Sequence, residues 1–328
     1  MKELLLSIDT GKSYTKTITK IGDKIEKVLF RTKVQEISEL GVDVTPNSYL
    51  IEYQGKSYLI GDMISENSCN FQITKHTIDH QLSIYLAICK IIDRTEALKY
   101  GLPKVHLALN IPINSYKNIT LKADYKNFMQ NNGEIIYMKV NGTEYAFKIS
   151  SIIVLPEAMG PLYCSNRIND FRNKVTVIDI GSLNVNYCTY NNLVPELDSM
   201  NISNNGINVL RAKIAEKLTA TYGTLITDDD VEEILRNDGY LYISGIKKPE
   251  SKEIIEKLIT NHVAEIFNYG RSRGLTFNNT NLVFVGGGSL LLKNYILTQY
   301  PLAVIEEDGQ FSNCSSYLNI LEVKKNVG

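Results

Sequence analysis

The chain has 328 residues, 44% of them hydrophobic, which is enough to bury a large core and long for a single one, so two lobes are expected. Its net charge of −1 excludes a global field of the kind that draws nucleic acid or an anionic membrane, so any DNA contact is expected to be indirect. Five cysteines, Cys69, Cys89, Cys164, Cys188 and Cys314, form no C-x-x-C pair, which favours buried thiols in a reduced cytoplasm over disulfides or zinc. The apolar run Leu4–Ile8 is too short for a signal peptide or a membrane span, and no basic amphipathic terminal helix is evident, so a soluble cytoplasmic protein without a membrane partner is expected.

In chain order, strands are predicted at Leu4–Ile8, Tyr14–Lys20 and Lys24–Arg31, the last two turned at Ile21-Gly22-Asp23. Strand signals recur at Ser48–Tyr53 and Ser57–Ile60, joined through Gln54-Gly55-Lys56. Asp79–Lys99 carries Leu82, Tyr85, Leu86, Cys89, Ile92 and Ala97 near helical spacing and is stopped by Gly101 and Pro103. A buried strand follows at Val105–Ile111, and Lys139–Ile153 reads as a hairpin turned by Asn141-Gly142 in a type I′ turn. Helices are predicted at Ile207–Tyr222, Pro249–Arg273 and Phe311–Lys325, the second amphipathic and packed on a sheet.

Three short motifs concentrate the chemistry: IDTGKSYTK at Ile8–Lys16, VIDIGSLNVNY at Val177–Tyr187 and LVFVGGGSLLL at Leu282–Leu292. Each runs from an apolar strand directly into glycine and small polar residues, where backbone can approach a phosphate or a base. Asp9 and Asp179 lead two of these turns, and a carboxylate beside a phosphate-binding turn fits a Mg²⁺ ion whose water shell it holds. The pattern points to a nucleotide phosphohydrolase or phosphotransferase. Gly11-Lys12-Ser13 imitates the end of a Walker A loop, but Leu6 stands where its first glycine should be. The run Gly286–Gly288 alone is equally consistent with a tight strand-to-helix turn.

Together the motifs resemble the actin-like ATPase superfamily and, within it, plasmid-segregation filament proteins of the ParM type. Asp9, Gly11 and Lys16 fall where that superfamily's first phosphate loop has its Asp, Gly and Lys, and Asp179 and Gly181 match the second loop. Gly286, Gly287 and Gly288 match the adenosine loop, and Glu157 in LPEAMG matches the acid that positions the attacking water. YQGKSYLIGD at Tyr53–Asp62, LNIPINSYKN at Leu109–Asn118 and FSNCSSYLNILEV at Phe311–Val323 extend the likeness nearly end to end. Lys12 departs from the usual Ser or Thr and either contacts phosphate or points outward, while Ser182 and Leu183 replace a Gly and a Thr.

The resemblance implies an α/β, actin-like fold of two duplicated ribonuclease-H-like lobes around a nucleotide cleft. The expected boundaries are 1–155, 156–310, and a C-terminal helix over 311–328 packing back on the first lobe. The implied ligands are ATP and Mg²⁺, the metal held through water by Asp9 and Asp179. The implied nucleotide-binding set is Asp9, Gly11, Lys12, Ser13, Lys16, Gly181, Ser182, Asn205, Gly206, Lys213, Gly286, Gly287, Gly288 and Ser289, with Arg211 an alternative to Lys213 and a plain capped helix the competing reading for 205–213. Glu157 and Asp179 are the expected catalytic pair, Glu157 orienting or deprotonating the lytic water. The implied function is an ATP-hydrolysing, head-to-tail filament that segregates plasmid DNA through a DNA-binding, ParR-like adaptor. The alternative is a sugar or carboxylate kinase on the same scaffold, for which no acceptor motif is evident.

Other clusters receive structural readings. His76 and His80 share a helical face but lack the Glu of hydrolytic zinc helices and a third ligand. His106 is expected to be packed. Thr227 followed by Asp228, Asp229 and Asp230 lacks the spacing of a calcium loop and reads as a helix N-cap with acids in the first turn. The 20 tyrosines are dispersed and not interleaved with basic residues, so they form no nucleic-acid stacking surface.

Overall fold

A computed structural model describes residues 2–65, 75–164 and 168–327; Cys69 lies outside them. The strands and helices run β1 (Glu3–Thr10), β2 (Tyr14–Ile21), β3 (Lys24–Arg31), β4 (Val34–Ile37), β5 (Ser48–Tyr53), β6 (Lys56–Gly61), α1 (Ile78–Thr95), β7 (Lys104–Ile111), α2 (Ile113–Tyr116), α3 (Ile119–Met129), β8 (Ile136–Val140) and β9 (Thr143–Pro156). They continue with β10 (Val175–Ile180), β11 (Val185–Asn191), β12 (Val194–Pro195), β13 (Asn201–Ser203), α4 (Ile207–Tyr222), α5 (Asp228–Arg236), β14 (Leu241–Ile243), β15 (Ile246–Lys248), α6 (Ser251–Ser272), β16 (Asn281–Val285), α7 (Gly287–Leu291), α8 (Lys293–Gln299), β17 (Val304–Ile305) and α9 (Gly309–Val327). The chain divides into two compact units, Met1–Ile168 with Gln310–Gly328, and Asn169–Gly309.

The first unit is built on a nine-stranded sheet in the order β3-β2-β1-β7-β9-β8-β5-β6-β4. β1 is covered on both faces, which is why it reads as a nearly unbroken apolar run. Leu4, Leu6 and Ile8 point into a core shared with Tyr85, Leu86 and Ile88 of α1. The alternate position Leu5 packs on a second cluster made by Ile18 and by Phe311, Cys314 and Leu318 of α9. Leu6 has no exposed surface, so truncation to Ala should cost about 2–5 kcal/mol.

Helix α1 begins at Thr77, whose hydroxyl accepts the His80 N–H, and ends where Glu96 turns left-handed at φ 50°. The apolar spacing that predicted helix to Lys99 persists because a short 3₁₀ turn, Ala97–Tyr100, still buries Ala97. The β8–β9 hairpin turns on Asn141 and Gly142 at φ 48° and 79°, as the type I′ reading requires.

The first unit runs past the expected division at 155/156 as far as Ile168. The physical reason is local: Tyr317 of α9 donates to the Pro156 carbonyl at 2.8 Å, and Asn313 Oδ1 accepts the Gly160 N–H at 2.8 Å. Residues beyond β9 are therefore tied to the C-terminal helix, and Glu157 belongs with the first sheet.

The second unit repeats the leading strand order. Its sheet runs β12-β11-β10-β16-β17, with β13 also pairing β11. In both units the first strand forms an antiparallel hairpin with the second and a parallel pair with a strand that returns after a helix, β7 in the first unit and β16 in the second. Ile178, Ile180 and Phe284 pack against Leu210 and Ile214 of α4 and Ile259 and Phe267 of α6. Helix α5 starts in a full capping box between Thr227 and Asp230.

Candidate functional site

The hairpin β1–β2 places Asp9 opposite Lys16, with Lys16 Nζ 3.6 Å from Asp9 Oδ2. Between them the Gly11 N–H closes the turn on the Tyr14 carbonyl at 3.0 Å. The hairpin β10–β11 repeats this geometry: Asp179 stands opposite Asn186, and the Gly181 N–H closes on the Asn184 carbonyl at 2.9 Å. A Cβ on Gly11 or on Gly181 would meet that carbonyl at 3.2 Å, the same tight approach in each unit. The turns differ in charge: Lys12 and Lys16 of the first are matched by the neutral Ser182 and Asn186 of the second.

Around Asp9 the first unit gathers groups that no motif announced. The parallel strand β7 brings Asn110, whose Nδ2 donates to Asp9 Oδ1 at 2.7 Å. Lys75 donates to Asn110 Oδ1 at 3.0 Å and pairs with Glu157 Oε1 at 2.8 Å. Burial alone would raise the Asp9 carboxyl, but the charges of Lys16 and Lys75 and hydrogen bonds from Asn110 and Asn313 outweigh it and hold the group below its ordinary range. Asp9 is thus an anion in a buried position. Asn110 lies inside the family-like segment LNIPINSYKN and Asn313 inside FSNCSSYLNILEV, but nothing there singles either out, and Lys75 lies in no such segment.

Glu157 follows β9 directly, its N–H bonded to the Ile111 carbonyl at 3.2 Å. The next residue, Ala158, is fully buried at φ 58°, a left-handed conformation rare for a residue with a Cβ. Lys12 is half-buried and Ser13 partly exposed on the first turn. Burial, reinforced by the positive charge of Lys75, brings the Lys12 ammonium down to about 8 against the opposing pull of Asp79 and Glu157. Three lysines therefore converge on the two carboxylates of this unit.

His80 lies beneath this region, hydrogen-bonded to the Tyr125 hydroxyl at 3.0 Å. Burial first, then Lys75 and Lys12, holds its imidazole well below the usual value, so it is neutral. His76 instead stacks on Phe128. His106 is buried against Ser151, 2.7 Å away.

In the second unit the second and third motif turns pack closely with the start of α4. The first N–H groups of α4 are spent on the second turn: Gly206 N donates to Leu183 O, Ile207 N to Gly181 O and Asn208 N to Ser182 O at 3.3, 3.1 and 2.8 Å. A Cβ on Gly206 would lie 2.4 Å from the Ser182 carbonyl oxygen, so this glycine serves close packing. Gly286, at φ 85°, and Gly288 press on Ile180, whereas Gly287 is exposed with open space around it. The Ser289 hydroxyl is buried and donates back to Gly286 O at 2.7 Å, closing the turn instead of facing outward.

Two further candidates are engaged by side chains. Lys213 pairs with Glu265 of α6 at 2.7 Å, and Arg211 is held by Glu232 and Asn208. The helix start at Asn205–Lys213 therefore resembles a capped, ion-paired helix more than an open anion site.

Residues 7–160 match the family of actin-like protein N-terminal domains. Among solved structures the fold is shared with Ta0583, an archaeal actin homologue, at 17% identity and a TM-score of 0.80, covering 98% of this chain and 99% of that one. Ta0583 is also known in complex with ADP, a structure that matches at 15% identity and a TM-score of 0.72. The Alp12 filament structure matches at 27% identity and 0.72, covering 99% of this chain and 100% of that one. A 15-stranded ParM filament from Clostridium botulinum matches at 17% identity and 0.76, covering 98% and 100%. No curated protein sequence matches the chain. No helix among the described residues is long and apolar enough to cross a membrane.

Proposed function

For a chain with the actin-like fold throughout and the actin-like N-terminal domain over residues 7–160, we propose a nucleotide-driven filament protein that binds and hydrolyses ATP. The observation that carries the reading is the repeated turn, in which Asp9–Gly11–Tyr14 and Asp179–Gly181–Asn184 share one hydrogen bond and one close approach. A carboxylate beside a half-buried glycine turn, once in each unit, suits a nucleotide phosphate chain with its cation.

The donor set fits Mg²⁺. Among the described residues no three His, Cys, Asp or Glu side chains converge on one point, as an all-protein cage would need. Mg²⁺ keeps several waters and takes phosphate oxygens, so single carboxylates such as Asp9 and Asp179 suffice. Bound there, the ion would neutralise phosphate charge.

The chain's own groups would do the rest. Lys16 and Lys12 would meet phosphate oxygens with the turn amides, and Gly287 would face the nucleoside from its open side. Glu157 would orient the attacking water and take up its proton. Asn205 and Gly206 would act through the second turn, which they hold in place, and Lys213 through its partner Glu265.

The finer part of the proposal is that the filament segregates plasmid DNA and captures a DNA-binding adaptor. It is supported by the ParM and Alp12 filaments among the structural neighbours. The test is sedimentation with light scattering in Mg²⁺ and ATP, ADP or no nucleotide across a micromolar series, with phosphate release followed in parallel. Polymer above a critical concentration in ATP, lost as phosphate accumulates, is the expected result. A chain that binds ATP and stays small at every concentration overturns the filament reading and returns the kinase class.

A further inference from the structure

Lys75 stands a few residues ahead of α1 in a stretch that carries none of the recurring motifs, and its side chain is only 7% exposed. A buried ammonium is costly unless acceptors surround it. Here the acceptors are Glu157 Oε1 at 2.8 Å and Asn110 Oδ1 at 3.0 Å.

The chemistry of these groups forces a direction on the network. An ammonium only donates, so it must meet the oxygen end of the Asn110 amide. The nitrogen end then faces Asp9, whose carboxylate only accepts, and the Asn110 Nδ2 to Asp9 Oδ1 distance is 2.7 Å. One lysine thereby fixes one carboxylate directly and the other through an amide it has oriented. Glu157 gains from this because its backbone is held on one side by Ile111 O, yet its side chain projects from the start of a turn and needs a second anchor. Lys12 and Lys16 differ from Lys75 in being partly exposed, Lys16 by 17% of its side chain.

Resting on the ATPase reading above, we propose that Lys75 is a positioning residue for phosphoryl transfer, one that aims the Glu157 carboxylate and, through Asn110, sets the orientation of Asp9. It acts on the reaction through these two acids and not by holding phosphate.

The test compares wild type, Lys75→Met, Glu157→Gln and the double variant for phosphate release at saturating Mg-ATP, for Mg-ATP affinity by displacement of a fluorescent analogue, and for thermal unfolding. Lys75→Met should lower kcat about 100-fold while affinity stays within about threefold, the split expected when geometry and not ground-state binding is lost. The double variant should be slowed by clearly less than the product of the two single effects, because both changes act in part on the Glu157 carboxylate. Should Lys75→Met fold poorly, Lys75→Gln keeps a donor and replaces it.

Loss of affinity with kcat retained would make Lys75 a phosphate-binding cation and overturn the assignment. So would unaltered kinetics, or a double variant slowed by the product of the two single effects. A wild-type chain that releases no phosphate from Mg-ATP overturns the ATPase reading itself, and the Lys75 assignment with it.

Discussion

The fully buried hydroxyl of Tyr317 donates to the Pro156 carbonyl at 2.8 Å, one residue before Glu157. It is one of several grips that α9 takes on this segment. Asn313 accepts the Gly160 N–H, and Ser316 donates to the Gly160 carbonyl at 2.6 Å while accepting the Tyr163 N–H at 3.0 Å. Positions 313, 316 and 317 lie on one face of the helix, so a single face of α9 fixes the turn that presents Glu157.

Removing the hydroxyl should loosen that turn. Tyr317→Phe leaves the Pro156 carbonyl buried without its donor, which costs about 1–3 kcal/mol. Thermal unfolding should show the loss, and phosphate release should slow by less than it does on removing Glu157 itself. If the variant melts and turns over as wild type does, the grip of α9 plays no part in holding Glu157.

Glu157 is placed by its proposed role in the chemical step and not in binding. Glu157→Ala should therefore bind Mg-ATP near the wild-type affinity and hydrolyse it about 10²–10⁴-fold more slowly. Under the filament reading its polymers should persist, because the step that destabilises them is blocked. Fluorescent-analogue binding and time-resolved light scattering measure the two effects separately, and an unaltered rate of phosphate release would reduce Glu157 to a structural acid.

The strand-to-turn junctions are legible in the sequence, and the reason is physical. Asp9, Asp179 and the glycines that follow them announce themselves because a strand must be apolar and a tight turn must be small, so the junction leaves a pattern in a single sequence. Helix α4 was readable to both its ends, Ile207 and Tyr222, for the same reason. Lys75, Asn110 and Asn313 left no such pattern. They reach Asp9 or Glu157 through tertiary pairing of segments far apart in the chain, and a lone Lys or Asn in a sequence carries no mark of what it will face. Ser289 and Gly206 carry the same turn pattern and also serve packing: one closes its turn from within and the other lets α4 press on its neighbour.

Lys12 makes the site pH-sensitive. Burial first, then Lys75, lowers its ammonium from 10.5 to about 8, while Asp79 and Glu157 act in the opposite sense. The folded pKa lies below the unfolded one, so between about pH 8 and 10.5 the unfolded chain binds the extra proton. The charged Lys12 thus opposes folding below pH 8, and that opposition is lifted as pH rises through the window. Phosphate binding should run the other way, because a cation is lost above about pH 8. Mg-ATP affinity measured from pH 7 to 9 should fall in wild type, and Lys12→Met should flatten this dependence while binding more weakly at pH 7. A profile equally steep in the variant would show that another group titrates.

The run Gly286-Gly287-Gly288 separates glycines required by packing from one left for a ligand. At Gly286 the backbone is left-handed, with φ 85°, and a Cβ would lie 2.5 Å from the Ile180 carbonyl and 2.6 Å from Asp179 Oδ1. Neither can yield cheaply, since one is strand backbone and the other is the carboxylate that leads the second turn. Gly286→Ala should therefore destabilise the second unit and displace Asp179, costing more than the about 1–2 kcal/mol of the left-handed conformation alone. Gly287, by contrast, is exposed at the start of α7 with no heavy atom within 4 Å of a built Cβ. Gly287→Ala should fold as wild type or be slightly more stable, because Ala restricts the unfolded chain and favours the helix. If this turn receives the nucleoside, the same methyl group occupies the approach path, and Mg-ATP affinity should drop about tenfold or more with the melting temperature unchanged. Calorimetric titration beside a thermal melt reads both quantities on one sample. A Gly287→Ala protein that binds nucleotide like wild type would remove this turn from the binding site and leave the run of glycines with packing as its explanation.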